Sequence, residues 1–373
     1  AASPRSDNGR AFAEYLAEKR PVIEAYLVGH APTPLPDETF AGNDLSRYLY
    51  GPLVRFTRSG GKRTRPALVL LGCEAVGGDP SRALSSAAAI EDFQSAALIH
   101  DDIADEGEMR RGQPCVHRTE GVGVAINVGD LGIVRTFAGV LEDESLDGAT
   151  KLRVLDEFAQ MEQRTVEGQA LDLGWARDNR WDVTTGDYLA MAAHKTAFYS
   201  AASPLSIGAI CGGGTDAQVD ALGSFGMDAG LAFQLQDDLL NLVGDAEAQG
   251  KDFRSDVTEG KRTMIVCWAL EHLTGTDKDE LLGILSSHAT DSSALDRAVA
   301  LMDAAGAIDG PEAVYRLFRE ADAKMYDNAI DAVRDYAHGL AESAKRSLDG
   351  VELVGDARAV LESMADFFVE RRG

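Results

Sequence analysis

The chain has 373 residues, of which 36 are Lys or Arg and 61 are Asp or Glu, so its net charge is −25. So large a negative charge argues against a surface that binds nucleic acid or anionic membranes, because both need cationic patches. The hydrophobic content of 45% is enough for a globular core. Only 9 of the basic residues are Lys and 27 are Arg. An acid-rich, lysine-poor composition is typical of halophilic proteins, although an acidic mesophilic protein has the same signature.

Helical spacing of apolar residues dominates the chain from its N-terminus onwards. A helix over 11–27 precedes a proline-rich loop at 29–38, and a second helix follows over 43–57. After the Gly-rich SGGKRTRP we expect a short apolar helix, 66–78, and a long alanine-rich helix, 81–105. Further helices are expected near 122–142, 146–174, 186–210, 215–243, 262–272, 294–305, 311–347 and 354–371. Strands are few or absent and the breaks are short, which predicts one large all-α domain over 1–373.

Four cysteines at irregular spacing form no CxxC pair: Cys73, Cys115, Cys211 and Cys267. This pattern favours buried thiols in a reducing compartment over disulfides or a zinc site. No apolar run reaches the roughly 18 residues that cross a bilayer, and the N-terminal AASPRSDNGR lacks the apolar centre of a signal peptide. We therefore expect a cytoplasmic protein without a transmembrane segment, and a disordered or processed end at residues 1–10.

Residues 45–73 contain no acidic residue, although the chain as a whole is rich in acids. Six cations lie in this stretch: Arg47, Arg55, Arg58, Lys62, Arg63 and Arg65. They flank Gly60 and Gly61, where a bare backbone lets a ligand approach closely. Fixed cations beside a glycine break at a helix start indicate a phosphate site. A basic surface face that pairs with acids elsewhere is the alternative.

In contrast to this basic stretch, two other segments of the chain carry clustered carboxylates. Asp101 and Asp105 are four residues apart at the end of the long helix, so they share one helix face. Later, FQLQDDLLN places Asp237, Asp238 and Asn241 in a similar geometry. Buried like charges are costly unless a cation neutralises them, and all-oxygen ligands favour Mg²⁺ over zinc. A solvated acidic turn is the usual alternative for one such motif, but two of them in apolar helices are far more specific.

Two carboxylate clusters and a basic loop together indicate a diphosphate bridged by metal ions. The chain contains no P-loop or dinucleotide fingerprint. The ordered motifs GGKRTRP, DDIADEGEMRRGQPCVH, GQALDL, HKTAFYS and FQLQDDLLNLVGDAEAQGKDFRSDVTEGKRT resemble those of the trans-isoprenyl diphosphate synthases of the polyprenyl synthetase family. The resemblance implies helices around a central active-site cavity, and the condensation of isopentenyl diphosphate with an allylic diphosphate.

The resemblance also implies a site for three Mg²⁺ ions, with Mn²⁺ as a substitute. The first motif would bind two ions and the second motif would bind the third. The residues that match metal-binding positions are Asp101, Asp105, Asp172, Asp237, Asp238 and Asn241, with Asp102 and Gln169 beside them. The family often has Asp where this chain has Asn241, whose amide oxygen can ligate a metal but carries no charge.

The resemblance to the family also implies which residues contact the two substrates. For isopentenyl diphosphate, the matching residues are Lys62, Arg65, Gln94 and Arg111. For the allylic diphosphate they are Arg110, Lys195 and Lys251, with Lys261 further out. Thr196 and Gln234 match positions that line the reacting carbons. His100 and His117 also match, and we interpret His100 as a packing residue or as a neighbour of the metal ligands rather than as a ligand itself.

These matches imply a mechanism without a conventional general base. The metal ions and cations would withdraw the allylic diphosphate and leave an allylic cation. The double bond of isopentenyl diphosphate would attack this cation, and a proton would then pass to the departing diphosphate. The protein would contribute mainly orientation and electrostatic stabilisation.

Product length in the family depends on the residues just before the first Asp motif. Bulky aromatics four or five residues before it stop the product near C15, and here these positions hold Ala97 and Ala96. The next bulky residue on that face is Phe93, with Ile90 one turn lower. A floor one turn deeper admits roughly one more C5 unit, since a helix turn rises about 5.4 Å. We predict a geranylgeranyl (C20) product, with geranylfarnesyl (C25) and C15 products as alternatives.

Two other classes of protein fit part of the pattern. A class I terpene cyclase would share the fold and the Asp motif without needing the isopentenyl-binding residues, and Asn241 alone favours it. A non-catalytic subunit of a heteromeric synthase would have lost motif residues that this chain retains. The resemblance also implies a homodimer, and C20 chemistry joined to an acidic surface favours a haloarchaeal source.

Overall fold

The computed structural model describes residues 9–34, 42–244, 253–305 and 329–370. The elements up to the hairpin are α1 (Arg10–Gly29), α2 (Gly42–Leu45), α3 (Gly51–Arg58), α4 (Thr64–Ala75), α5 (Leu84–Ala104), β1 (Met109–Arg110) and β2 (Gln113–Pro114). They are followed by α6 (Val116–Glu120), α7 (Val122–Leu141), α8 (Gly148–Arg177), α9 (Thr185–Ala192), α10 (Ser203–Cys211) and α11 (Asp216–Val243). The last are α12 (Ser255–Thr258), α13 (Met264–His272), α14 (Gly275–Ser286), α15 (Ser292–Asp303), α16 (Ala329–Ser347) and α17 (Ala357–Glu370).

The expected all-α architecture is confirmed. In the described ranges the only strands are the antiparallel hairpin β1–β2, in which Met109 lies opposite Pro114. Two π-helical stretches, Ser46–Tyr50 and Ala193–Ala202, join α2 to α3 and α9 to α10, so the expected helices there are continuous. The helix α14 was not expected, and the first part of the expected helix over 311–347 lies outside the described residues.

One large hydrophobic core runs through the described helices, from Phe12 in α1 to Val369 in α17. The Phe12 ring packs edge-on against Phe367 and Phe368, with centroids 5.6 and 5.9 Å away, so the first and last helices are neighbours. All four cysteines are buried free thiols, as the sequence predicted.

The helix of the first Asp motif, α5, packs closely on α7 because α7 has glycine at the contact. A Cβ on Gly132 would lie 2.9 Å from the Ala96 Cβ, closer than real side chains approach. One turn earlier, Gly129 faces the imidazole of His100, whose Nε2 lies 3.1 Å from the carbonyl oxygen of Ile126. This contact gives His100 a packing position between α5 and α7, which is one of the two roles that we expected for it.

By length and composition, α7 is apolar enough to cross a membrane, and it is the only described helix of which this is true. It nevertheless contains Asp130 and Arg135 and packs along α5. The expectation that the chain has no transmembrane segment therefore stays a prediction.

Candidate active site

The first Asp motif forms the last turn of α5. Asp101 is half-buried, and its Oδ1 accepts a 2.9 Å hydrogen bond from Nε2 of Gln169 on α8. Asp105 ends the helix one turn later and is exposed. Burial raises the pKa of Asp101, and desolvation raises that of Asp105, while the charge of Lys195 opposes both shifts. The two carboxylates therefore lie where a cation would stabilise their charged forms.

Asp102 lies on another face of α5 and binds a different partner. It is 2% exposed, and its Oδ1 accepts two hydrogen bonds from Arg110, from Nε at 2.9 Å and from Nη2 at 2.5 Å. Two contacts to one oxygen fix the guanidinium in place. Because Arg110 lies on β1, Asp102 fastens the hairpin to α5 and orients a cation that matches the allylic site.

Lys195 approaches the first motif from the π-helical stretch Ala193–Ala202. Its Nζ forms an ion pair with the Asp172 carboxylate on α8. The two segments can approach because position 168 is glycine: a Cβ there would lie 2.2 Å from the backbone nitrogen of Lys195. The glycine of the GQALDL motif thus sets the distance at which Lys195 meets the carboxylates.

The second Asp motif borders a cavity of about 330 Å³, whose wall also includes Lys195 and Thr196. Its two adjacent acids differ in environment. Asp238 is 5% exposed and accepts hydrogen bonds from the Tyr188 hydroxyl at 2.6 Å and from Gln234 Nε2 at 3.0 Å. Burial raises the pKa of Asp238, and these hydrogen bonds counter the shift. Asp238 is therefore held by neighbours beside Asp237, the role of a supporting residue.

Asn241 anchors the turn that begins α12. Its Nδ2 donates to Ser255 Oγ at 3.1 Å, and its Oδ1 accepts from the backbone N–H of Asp256 at 3.2 Å. The backbone carbonyl oxygen of Asn241 accepts a hydrogen bond from the backbone N–H of Arg254 at 2.7 Å. Both ends of the amide are thus engaged by one turn, so Asn241 acts on the fold of the cavity wall.

That turn brings Asp256, which the sequence analysis did not single out, into the cavity wall. Burial raises the pKa of Asp256, and Lys261, whose Nζ lies 3.2 Å from Asp256 Oδ1, opposes the shift. Lys261 also pairs with Glu259 at 2.8 Å. Asp256 lies in the segment SDVTEGKRT, which belongs to the last of the ordered motifs. No spacing rule in the sequence links position 256 to position 241.

Two arginines of the expected isopentenyl site keep buried donors that no described residue satisfies. Arg65 stacks on the Tyr199 ring, 4.0 Å from its centroid, and its Nη2 donates to Ser200 Oγ at 2.8 Å. Arg111 lies 5.4 Å from the centroid of Phe56. Within the described chain, Arg65 Nε and Arg111 Nη1 are buried and have no hydrogen-bond partner. Buried guanidinium N–H groups of this kind suit an anion.

The remaining expected contacts are more dispersed. Lys62 is exposed at the glycine break, and Gln94 is half-buried on α5. Both ring nitrogens of His117 are buried and unpartnered within the described ranges. Lys251 lies outside the described residues.

The expected chain-length residues occupy two different faces of α5. Phe93 packs edge-on against Tyr199, with centroids 5.7 Å apart, and Ile90 is fully buried below it. Ala97 is half-buried, four residues before Asp101 on the same face. Ala96 instead contacts Gly132 of α7, so a bulky side chain at 96 would meet α7 rather than form the cavity floor.

The donors that border this site fit a hard divalent cation, because carboxylate oxygens provide the charge. In the part of the chain that the structure describes, no three His, Cys, Asp or Glu side chains converge into a complete metal cage. Lys195 and Lys261 lie among the carboxylates instead. Oxygens from water or from a bound diphosphate would complete the coordination of a metal here.

Known proteins resemble this chain in both sequence and fold. The model of the polyprenyl synthetase family matches residues 46–302. A short chain isoprenyl diphosphate synthase from Methanothermobacter thermautotrophicus is 39% identical over 315 residues, covering 84% of this chain and 87% of the relative. A geranylfarnesyl diphosphate synthase from Natronomonas pharaonis is 36% identical over 372 residues, covering 95% and 96%.

Among solved structures, a geranylgeranyl pyrophosphate synthetase from Pyrococcus horikoshii superposes with a TM-score of 0.79 at 32% identity, covering 97% of this chain and 98% of that one. A geranylgeranyl pyrophosphate synthase from Corynebacterium glutamicum, complexed with isoprenyl diphosphate and magnesium, superposes with a TM-score of 0.75 at 28% identity, covering 98% of each chain. With the two Asp motifs and the arginine pair in place, the chain belongs to the polyprenyl synthetase family and is a trans-prenyltransferase.

Proposed function

We propose that this chain condenses isopentenyl diphosphate with an allylic diphosphate to give geranylgeranyl diphosphate. The observation that carries the proposal is a pair of buried donors that have no hydrogen-bond partner among the described residues, Arg65 Nε and Arg111 Nη1. Neither arginine is among the residues that line the cavity at the second Asp motif, where Asp237 and Asp238 lie with Lys195 and Lys261. One anion-binding region and one acidic, lysine-containing region are what two different diphosphates need, one that stays and one that leaves.

The acidic region would receive the allylic diphosphate. Asp101 and Asp105 on one side and Asp237 on the other would hold Mg²⁺, which supplies Lewis-acid stabilisation of the leaving group when bound. The Corynebacterium glutamicum complex with magnesium supports this choice of ion, with Mn²⁺ as a substitute. The chain's own contribution is charge: Lys195, Lys261 and Arg110 would face the departing diphosphate, and Lys251 is proposed to join them.

The arginine region would hold isopentenyl diphosphate, with Lys62 at its exposed edge and Gln94 beside it. In this position the isopentenyl double bond would attack C1 of the allylic cation that remains once the C–O bond to the diphosphate has broken. The new C–C bond leaves a tertiary cation, which loses a proton to the departing diphosphate. Thr196 would line the reacting carbons, whereas Gln234 would act through its hydrogen bond to Asp238.

The proposed C20 product rests on Phe93, whose edge-on contact with Tyr199 supports a floor below the carboxylates. The Pyrococcus horikoshii and Corynebacterium glutamicum enzymes are geranylgeranyl synthases, whereas the Natronomonas pharaonis relative makes a C25 chain by its name. A C25 product is therefore the second candidate.

The test supplies labelled isopentenyl diphosphate with dimethylallyl, geranyl or farnesyl diphosphate in turn, and measures the chain length of the dephosphorylated products. A C20 alcohol from all three starters supports the proposal, and a C25 alcohol favours the second candidate. A hydrocarbon formed without incorporation of label would instead indicate a terpene cyclase and overturn it. A non-catalytic subunit would give no product at all.

We further propose that the protein is a single-domain homodimer located in the cytoplasm. We also propose that its source is a haloarchaeon. Four exposed apolar side chains on two neighbouring helices support a protein partner: Ile126 and Val134 on α7, and Leu152 and Val166 on α8. Light scattering would give the mass in solution, and Val134→Asp should halve it. Full activity and an unchanged melting temperature without added salt would count against the haloarchaeal source.

A further inference from the structure

Arg63 lies in the middle of the basic stretch, and its sequence position suggests one more cation for a diphosphate. The structure gives it other partners. Its side chain is 1% exposed, and its Nε donates to Glu24 Oε1 at 2.8 Å. Nη1 donates to Glu91 Oε1, and Nη2 donates to the carbonyl oxygen of Thr57 at 2.7 Å. Two carboxylates and a carbonyl group therefore occupy the guanidinium.

These contacts join three parts of the fold at the expected isopentenyl site. Glu24 belongs to α1, Glu91 belongs to α5, and Arg63 follows the glycine break with a left-handed φ of 54°. A left-handed non-glycine residue is strained and persists only where its surroundings hold it. Lys62 and Arg65 lie on either side of this point, so the geometry of the pairing sets where both cations project.

The same pairing reaches Arg111. A Cβ on Gly61 would lie 3.2 Å from Arg111 Nη2 and 3.5 Å from Arg63 Nη1, so both guanidiniums border this glycine. Glu91 is 1% exposed, and within the described chain its Oε2 has no hydrogen-bond partner. Glu91 is thus a buried negative charge beside two adjacent guanidiniums. The guanidinium of Arg63 is paired with it, and that of Arg111 is left for a ligand.

We propose that Arg63, with Glu24 and Glu91, is a positioning residue that presents Lys62, Arg65 and Arg111 to isopentenyl diphosphate. The inference rests on the proposed function and deepens it. It also gives α1 a part in the site, although α1 precedes the residues 46–302 that match the family model.

The test compares Arg63→Lys and Glu24→Gln with Glu14→Gln, a control on the same helix whose carboxylate is 67% exposed. Lysine cannot bridge two carboxylates and a carbonyl in one plane. We expect Arg63→Lys to raise the KM for isopentenyl diphosphate by about tenfold and to leave the KM for the allylic substrate within about twofold. Glu24→Gln, which keeps an acceptor at a side chain 34% exposed, should fold normally and show a smaller shift of the same kind. Glu14→Gln should change neither value.

A second readout is the Kd of isopentenyl diphosphate alone, measured calorimetrically without allylic substrate, together with each melting temperature. The Kd should rise in parallel with the KM. Equal changes in both KM values, or none, would assign Arg63 to stability alone and overturn the inference. A fall in Kd in Glu24→Gln would also overturn it, because a released Arg63 would then be a direct ligand. If the wild-type chain binds isopentenyl diphosphate but does not elongate, the proposed function fails while the binding comparison still tests Arg63.

Discussion

Gln169 Nε2 donates a hydrogen bond of 2.9 Å to Asp101 Oδ1, which ties α8 to the last turn of α5. A neutral amide thus orients a carboxylate that is a proposed metal ligand, from a residue 68 positions away in the chain. Partners of this kind fix the direction of a ligand's lone pairs without adding charge.

Removing this amide should weaken the binding of Mg²⁺ at the first Asp motif. We expect Gln169→Ala to raise the Mg²⁺ concentration for half-maximal activity about tenfold and to lower kcat. The control is Gln163→Ala on the same helix, whose amide bonds to Glu167 at the surface. The Mg²⁺ titration of the two variants checks this, and an unchanged requirement in Gln169→Ala would contradict the orienting role.

Asn241 should matter through the turn that it holds. Asn241→Ala removes the hydrogen bonds to Ser255 Oγ and to the Asp256 N–H, so Asp256 should lose its fixed position in the cavity wall. We expect a clear fall in kcat and a smaller rise in melting temperature on adding Mg²⁺ with diphosphate. Asn241→Asp keeps an acceptor for the Asp256 N–H, so it should retain more activity than Asn241→Ala. Equal losses in the two variants would refute this account.

Phe93→Ala should lengthen the product. The ring packs edge-on against Tyr199, and its removal opens space down to Ile90, one helix turn below. One turn is about 5.4 Å, which corresponds to roughly one C5 unit. Chromatography of the dephosphorylated products should show a shift from C20 toward C25. Phe233→Ala is the control, because that ring packs against Phe368, 4.8 Å away, on α17; a similar shift there would show that the effect is unspecific.

Bulk at positions 96 and 97 should have different effects. Ala97 lies on the Asp101 face, so Ala97→Phe should shorten the product toward C15. Ala96 contacts Gly132 on α7, so Ala96→Phe should cost about 1–3 kcal/mol of folding stability through overpacking. Product analysis and urea unfolding of both variants check this pair of expectations. A fully stable Ala96→Phe protein that makes only C15 would restore position 96 to the cavity floor.

Glu162 on α8 should make stability depend on pH. Within the described ranges its Oε1 is buried without a hydrogen-bond partner, and burial raises the pKa of Glu162 from 4.5 to about 7. Between these values the unfolded chain releases the proton that the folded chain keeps. Stability therefore falls as pH rises through this window and stays lower above it.

Glu162→Gln should remove that penalty. At pH 8 we expect the variant to be more stable than the wild type by about 2 kcal/mol, an amount bounded by about 1.4 kcal/mol per pKa unit. Near pH 4.5 the two proteins should unfold at the same urea concentration. Asp156→Asn is the matched control on the same helix, because that carboxylate is exposed and accepts a hydrogen bond from Gln160 at 2.8 Å. A constant difference between wild type and Glu162→Gln at all pH values would rule out the titration.

Local spacing in the sequence was sufficient for the architecture and for both acidic motifs. The i, i+4 relation of Asp101 and Asp105 follows from helix geometry alone, so it needs no knowledge of the partner helices. The all-α class follows in the same way from the helical spacing of apolar residues, and it is confirmed. The family was indicated instead by the resemblance of the ordered motifs and is also confirmed, whereas the metal-binding role of the two acidic motifs stays a prediction. The positions of α14 and of the hairpin were missed because their stability depends on contacts outside their own short segments.

The tertiary structure alone decided what each of several neighbouring side chains contacts. Arg63 and Arg65 both lie in the basic stretch, and the family resemblance assigned only Arg65 to a substrate. The structure adds the physical difference: Arg63 is enclosed by Glu24 and Glu91, whereas Arg65 keeps a buried donor without a partner in the described chain. Likewise, Ala96 contacts α7 while Ala97 lies on the Asp101 face, and Asn241 acts on Asp256. The physical reason is the same in each case. A residue's helix face is set locally, but what that face meets depends on helices from distant parts of the chain, such as α1 and the glycine side of α7.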